Sequence, residues 1–255
     1  MSTPPSALRL SAVELILTFS LLFGVTTVVR WVVGPSALSE AVPGTRPQLF
    51  IIGAVVGTLV VGLVLSPLGR QSGAHMNPAI SFAMWRFGVI PGSAVAFYVT
   101  AQLTGSLLGV LAARGVWGDV AATAPVTYAA LRPAPDWSAA GLFVAETVTT
   151  GVIVLLVGVF AAVGHLTRFT PYMVGVVVCL AITLLGASTG GSANPARQFG
   201  PALAAGQFSF LWVYLLAPML GVAMGTVARD LLLGRRRVLT GPAPHEGRTA
   251  RLPGG

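Results

Sequence analysis

The run Ser72-Gly73-Ala74-His75-Met76-Asn77-Pro78-Ala79 returns in altered form as Gly190-Gly191-Ser192-Ala193-Asn194-Pro195-Ala196-Arg197. Each copy reads as a helix start. Asn is a favoured N-cap, and Pro fits the first helical position, where its missing N–H is not needed. The small residues ahead of each Asn permit close backbone approach. Both copies lie in strongly apolar sequence. A helix that begins inside a bilayer leaves its first N–H groups without partners, so such starts persist only where they line a polar cavity or are enclosed by protein.

The surrounding composition puts the chain in a membrane. Of 255 residues, 55% are hydrophobic and only 9% charged, where a soluble domain has roughly a quarter charged. At ~20 apolar residues per crossing, the length accommodates about six spans in one domain. The 31 Gly residues suit close helix contact in lipid. The net charge of +8 rests on Arg alone, placed in loops and near the C-terminus. The lipid bilayer accounts for that pattern, and no nucleic-acid partner is implied. Cys179 is single and can form no internal disulfide, and no metal or cofactor cluster can be drawn from the His, Cys and acidic residues. The first apolar run has no small-residue cleavage site and reads as a retained span.

In order along the chain, residues 1–7 are polar, and the first span runs from Leu8 to about Val33, interrupted by Glu14 and Arg30. A connector over 34–47 leads to a second span, free of charge between Arg46 and Arg70. From Asn77 to Phe87 the apolar stretch is too short to cross and reads as a re-entrant half-helix. Pro91-Gly92 opens a third span to about Ala113. The longest loop covers 114–137, and Asp136 or Ser138 caps a fourth span that reaches about Gly164. The fifth span runs from near Tyr172 to Gly186-Ala187-Ser188, a second half-helix from Asn194 to about Leu203, and the sixth span from Phe208 to Leu233. The tail, 234–255, is too poor in apolar residues to fold alone.

This order is a repeat, about 8–113 and 138–233. Glu14 with Thr18 is echoed by Glu146 with Thr150, the two Asn-Pro-Ala units match, and Tyr98, Ala101 and Gly105 recur in register as Tyr214, Ala217 and Gly221. Gln102 meets Pro218, read as tolerated divergence. Three spans per half is an odd number, so the halves enter from opposite sides, the inverted-repeat plan of many transport proteins. The expected fold is all-α: six transmembrane helices and two half-helices that meet near the midplane, in one channel domain over 8–233. The side bearing both termini, Arg70, Arg86, Arg168 and the Arg-rich tail is richer in positive charge, which makes both termini cytoplasmic.

Two half-helix N-termini facing each other concentrate positive potential that repels cations and hydrated protons. Each Asn carbonyl oxygen can cap its helix, leaving the NH₂ donors for the lumen. Arg197 lies one turn beyond Asn194 and shares its face. It either stands toward the outer mouth of the lumen, repelling cations, or snorkels to headgroups.

The paired Asn-Pro-Ala motif, the second continuing to Arg197, together with the repeated Glu14 and Glu146, resembles the major intrinsic protein family, the aquaporins and aquaglyceroporins. The likeness covers 8–233. It implies a homotetramer with one pore per subunit, a plasma-membrane location, and a structural role for Glu14 and Glu146 in holding the pore loops. Family members set solute size at an outer constriction of four positions. Counted back without gaps from the two Asn residues, these fall on Gly57, Ile182, Gly191 and Arg197. That set resembles the small-residue filters of nodulin-like channels, which pass glycerol or neutral metalloid hydroxides. Gly57 has a second reading, helix packing through the Gly53-xxx-Gly57 pair. Arg70, where the family commonly has His, either adds positive-inside charge or narrows the inner vestibule. His75 reads as packing the first pore loop. The expected activity is passive passage of water and small uncharged solutes. A secondary active transporter is the alternative from another class, and no nucleophile–base pair supports an enzyme.

Overall fold

The computed structural model describes residues 7–234, so the expectations for the N-terminal segment and the Arg-rich tail lie outside the described residues. Eight helices carry the described architecture: α1 (Ala7–Val32), α2 (Thr45–Leu65), α3 (Pro78–Arg86), α4 (Gly92–Trp117), α5 (Ala139–Ala162), α6 (Thr170–Leu185), α7 (Pro195–Ala205) and α8 (Leu211–Leu233). Five of them, α1, α2, α4, α5 and α8, are long and apolar enough to cross a membrane, and α6 is a shorter apolar helix. Its 16 residues span about 24 Å at 1.5 Å each. The turn after Leu185 carries the chain onward to the second pore loop.

The packing follows the repeat. Within each half the first and third spans pair, α1 with α4 and α5 with α8, while α2 packs on α6 and unites the halves. Glycine makes the intra-half contacts close. A side chain at Gly105 or Gly109 of α4 would strike the backbone of α1 at Leu15 or Phe19, and one at Gly221 or Gly225 of α8 would strike α5 at Thr147 or Gly151. The register noticed at Gly105 and Gly221 is therefore a packing register. Apolar side chains such as Val55, Val148, Val176, Leu184 and Leu216 face outward, as a lipid-facing surface requires.

Local chemistry sets the helix ends. Ser138, not Asp136, caps α5 by accepting the Gly141 N–H at 3.0 Å. Helix α7 stops on Gly206, whose φ of 65° is the left-handed conformation that ends helices. Helix α4 runs on past Ala113 to Trp117, whose indole N–H donates to Thr27 Oγ1 at 2.8 Å and whose ring meets Trp31 edge-on. The connector 34–47 contains a short helix, Ala37–Ala41, closed by a reciprocal Ser36–Ser39 capping box.

Candidate functional site

Helices α3 and α7 begin against each other. Asn77 caps α3 by accepting the Ala79 N–H at 2.9 Å, and Asn194 caps α7 by accepting those of Ala196 and Arg197 at 2.9 and 3.3 Å. The two amides then cross over: Asn77 Nδ2 donates to Ala193 O and Asn194 Nδ2 to Met76 O, both at 3.0 Å. This revises the expectation that the NH₂ groups are wholly free for the lumen, since one of the two N–H donors of each is used to join the halves. Met76 and Ala193 hold φ at 48° and 45°, a left-handed backbone uncommon for non-glycine residues. That shared conformation aims each carbonyl at the opposite Asn. The strain sits where the two half-helices meet.

Glu14 and Glu146 are fully buried and anchor the loops that lead into these caps. Glu14 accepts from Ser72 Oγ at 2.6 Å, His75 N at 3.0 Å, Met76 N at 2.7 Å and Gln102 Nε2 at 2.8 Å. Glu146 accepts from Ser192 N at 3.2 Å and Ala193 N at 2.7 Å. Tyr98 and Tyr214, the tyrosines in register, donate to Ser72 O at 3.1 Å and Thr189 O at 2.6 Å. Both carboxylates are thus engaged by the backbone of the loops that lead into the Asn caps. Gln102 is more than a divergence from Pro218, for it ties Glu14 to Ser81 Oγ, 3.0 Å from Gln102 Nε2. His75 completes this cluster, with Nδ1 3.1 Å from Ser81 Oγ and its ring against Tyr98. Among the described residues no group of three His, Cys, Asp or Glu could hold a metal.

The side of the long loop is built differently. Arg197 Nη1 donates to Ala129 O at 2.9 Å. Thr127, Tyr128 and Ala129 all have positive φ, 45°, 56° and 58°. Thr26 Oγ1, donating to Tyr128 O, and Arg114, donating to the Tyr128 hydroxyl, steady that turn. Gln198 adds a two-point clamp, accepting from Leu131 N at 2.8 Å and donating to Leu131 O at 3.0 Å. The long loop 114–137 is thus fastened to the first turns of α7. Sequence reading missed Ala129, Tyr128 and Gln198. A backbone acceptor in an aperiodic loop leaves no mark in residue types, and Gln198 had only its place four after Asn194 to signal it.

The glycines lie at close helix and loop contacts. A side chain leaving Gly57 would collide with Gly175 O and lie 3.3 Å from Cys179 Cβ, and one leaving Gly175 would lie 2.8 Å from Gly57 O. Gly57 and Gly175 therefore face each other in the α2–α6 crossing, the contact that the packing reading of Gly57 requires. They are equivalent positions of the two halves, yet Gly175 precedes Asn194 by 19 residues and Gly57 precedes Asn77 by 20. Between its crossing glycine and its Asn, the first half therefore has one residue more than the second. Val56, the residue before Gly57, is 4% exposed and belongs with Ile52 and Val60 to the buried stripe of α2, in the apolar cluster against which Ile182 packs. Gly191, with φ at 59°, is likewise a close approach: its side-chain direction is filled by Ala181 O. Arg70 turns back, its Nε donating to Leu65 O at 3.0 Å, and caps the end of α2.

A family profile described as Major intrinsic protein matches residues 2–228. Among curated proteins, "Probable aquaporin NIP7-1" of Arabidopsis thaliana is 34% identical over 225 residues, covering 86% of this chain and 75% of its own. "Aquaporin NIP2-1" of Zea mays is 33% identical over 224 residues, covering 87% of this chain and 70% of its own. Among solved structures, the X-ray structure of the aquaglyceroporin from Plasmodium falciparum matches with a TM-score of 0.73 at 24% identity, covering 88% of this chain and 96% of that one. At that identity the likeness speaks to the fold.

Proposed function

The chain belongs to the major intrinsic protein family, and from that premise we propose that its pore admits water together with small uncharged hydroxyl compounds, of the size of glycerol or a neutral metalloid acid, while turning back ions and protons. It is a passive membrane channel and not an enzyme. The observation that carries the solute reading is the pair of crossed Asn caps. They set two helix N-termini, each worth roughly half a positive charge, at one level of the pore. A cation meets repulsion there, and a neutral hydroxyl meets the remaining Asn N–H donors.

We assign the outer constriction to Val56, Ile182, Gly191 and Arg197. Two branched aliphatic walls with one guanidinium match a solute that is apolar on one side and hydroxylated on the other. The curated relatives named as aquaporins support water as one such solute. We further infer a homotetramer in the plasma membrane with both termini cytoplasmic. Six crossings return the chain to its starting side, and the Arg distribution makes that side the inner one. Helix α2 is the least enclosed long span, 28% buried against 44% for the others, leaving an apolar face for a neighbouring subunit.

The test is light scattering on proteoliposomes under osmotic shock, with sucrose, glycerol and a neutral metalloid acid as separate challenges. The expected result is fast water efflux under sucrose and fast re-swelling under the two small solutes. Rates no faster than protein-free vesicles, or proton flux comparable to solute flux, would overturn the reading.

A further inference from the structure

Helix α7 carries Asn194 and Arg197 into the pore, and its first turns are not completed by its own backbone. Pro201 has no N–H, so no helical donor reaches the Arg197 carbonyl from four residues ahead. One position earlier, both members of the pair that a helix joins directly are engaged from outside. The hydroxyl of Ser106, on α4, donates to Ala196 O and accepts from Gly200 N at 3.1 Å. Ser106 is fully buried. Gly200 admits it, because a Cβ there would collide with Ser106 Oγ and lie 2.6 Å from Leu107 N. A side chain inserted at the i→i−4 ladder sets the local bend of a helix. The other half has no such stitch. The corresponding positions, Ala83 on α3 and Val222 on α8, are buried and apolar, and Met84 stands where the second half has Pro201. The hydroxyl therefore occurs only beside the half-helix whose Asn-Pro-Ala runs directly into an Arg, Arg197, where the other has Ile80.

We propose that Ser106 is a positioning residue of the solute constriction, fixing the pitch of the first turns of α7 and thereby where the Arg197 guanidinium stands relative to Ile182. Arg197 is held at its tip by Ala129 O and at its root by this turn; releasing the root lets the guanidinium shift while the tip contact persists. The inference rests on the channel reading above.

The experiment uses the full chain in proteoliposomes, with water and glycerol permeabilities measured on the same preparation. Wild-type rates above protein-free vesicles test the channel reading alone, and the ratio of the two permeabilities tests the inference. Ser106→Ala is expected to change the glycerol-to-water ratio by about three- to tenfold, the scale on which one buried hydrogen bond alters a barrier. A merely structural serine lowers the folded fraction and scales both permeabilities together. Adding Pro201→Ala returns an N–H to the Arg197 carbonyl and is expected to bring the ratio back to within about twofold of wild type, because the turn then closes itself. A Ser106→Ala ratio within about twofold of wild type overturns the proposal, as does a double variant that keeps the altered ratio. Where Ser106→Ala is not recovered folded, Ser106→Cys, similar in volume and a weaker hydrogen-bonding group, is measured in its place, and an unchanged ratio overturns the proposal equally.

Discussion

Val56 and Gly57 are neighbours on α2, and on the proposed constriction substituting each separates selectivity from packing. Gly57→Ala adds one carbon aimed at the Gly175 carbonyl, with Cys179 Cβ and Gly175 C the next contacts at 3.3 Å. Backbone cannot yield as the tip of a flexible side chain does, so α2 and α6 must part. Forcing a carbon into such a contact costs about 1–3 kcal/mol. For a chain of this length, that corresponds to a melting temperature lower by about 2–12 °C. Glycerol-to-water selectivity is expected to stay near wild type in the protein that remains folded. Val56→Phe instead sets a ring on the buried stripe of α2 toward the cluster containing Ile182. Each ~1.4 kcal/mol of added barrier slows passage tenfold, and glycerol, the larger solute, is slowed more than water. The assay is melting of purified protein in detergent alongside glycerol and water permeability in proteoliposomes. The reasoning is refuted by a Gly57→Ala protein that melts as wild type while losing glycerol flux, or by a Val56→Phe protein whose glycerol-to-water ratio is unchanged.

Two further perturbations probe the midplane. Glu14→Gln replaces one acceptor oxygen with an amide that faces other donors, leaving a buried N–H unsatisfied at about 1–3 kcal/mol. A lower melting temperature is expected to accompany any loss of flux, whereas a variant that melts normally and loses flux would reveal a transporting carboxylate. Asn194→Asp keeps the cap on Ala196 but sets an oxygen against Met76 O where Nδ2 now donates; cation conductance measured across a planar bilayer is expected to appear, and its absence would remove the Asn amides from the account of ion exclusion.

The half-helices were legible because Asn-Pro carries its structural instruction within two residues: a cap acceptor and a fixed φ. Glu14 and Glu146 were legible because a charge in an apolar run demands a partner. What escaped depends on pairing across long separations. Ala129 is chosen as the Arg197 acceptor by a left-handed turn that Tyr128, Thr26 and Arg114 hold, and no local pattern encodes that. Gln102 looked like a mismatch with Pro218 because the repeat compares equivalent positions, whereas its partners Glu14 and Ser81 belong to the same half. Gly57 carried two readings, constriction and packing, because residue types alone do not say which backbone lies across from it. Only the reciprocal contact with Gly175 reveals it.

The two halves differ in how their half-helices are held. Ser81 and Gln198 occupy the same place, four residues after their Asn, yet Ser81 turns into the Glu14–Gln102–His75 cluster while Gln198 clamps the outer loop at Leu131. Each pore loop is anchored by the Glu and Tyr of its own half; the first half-helix adds a polar network within that half, and the second adds a loop reaching over from between the halves and Ser106 of α4. A closed network of buried, fully partnered groups is rigid and indifferent to what passes, since partial breakage leaves costly unsatisfied groups. A half-helix held through a loop carbonyl and one inserted hydroxyl can be re-aimed by changing a few residues without dismantling the midplane. On the proposed function, the two Asn-Pro-Ala units, joined by crossed hydrogen bonds, stay fixed as the barrier to ions while solute choice is tuned at the constriction that Arg197 shares.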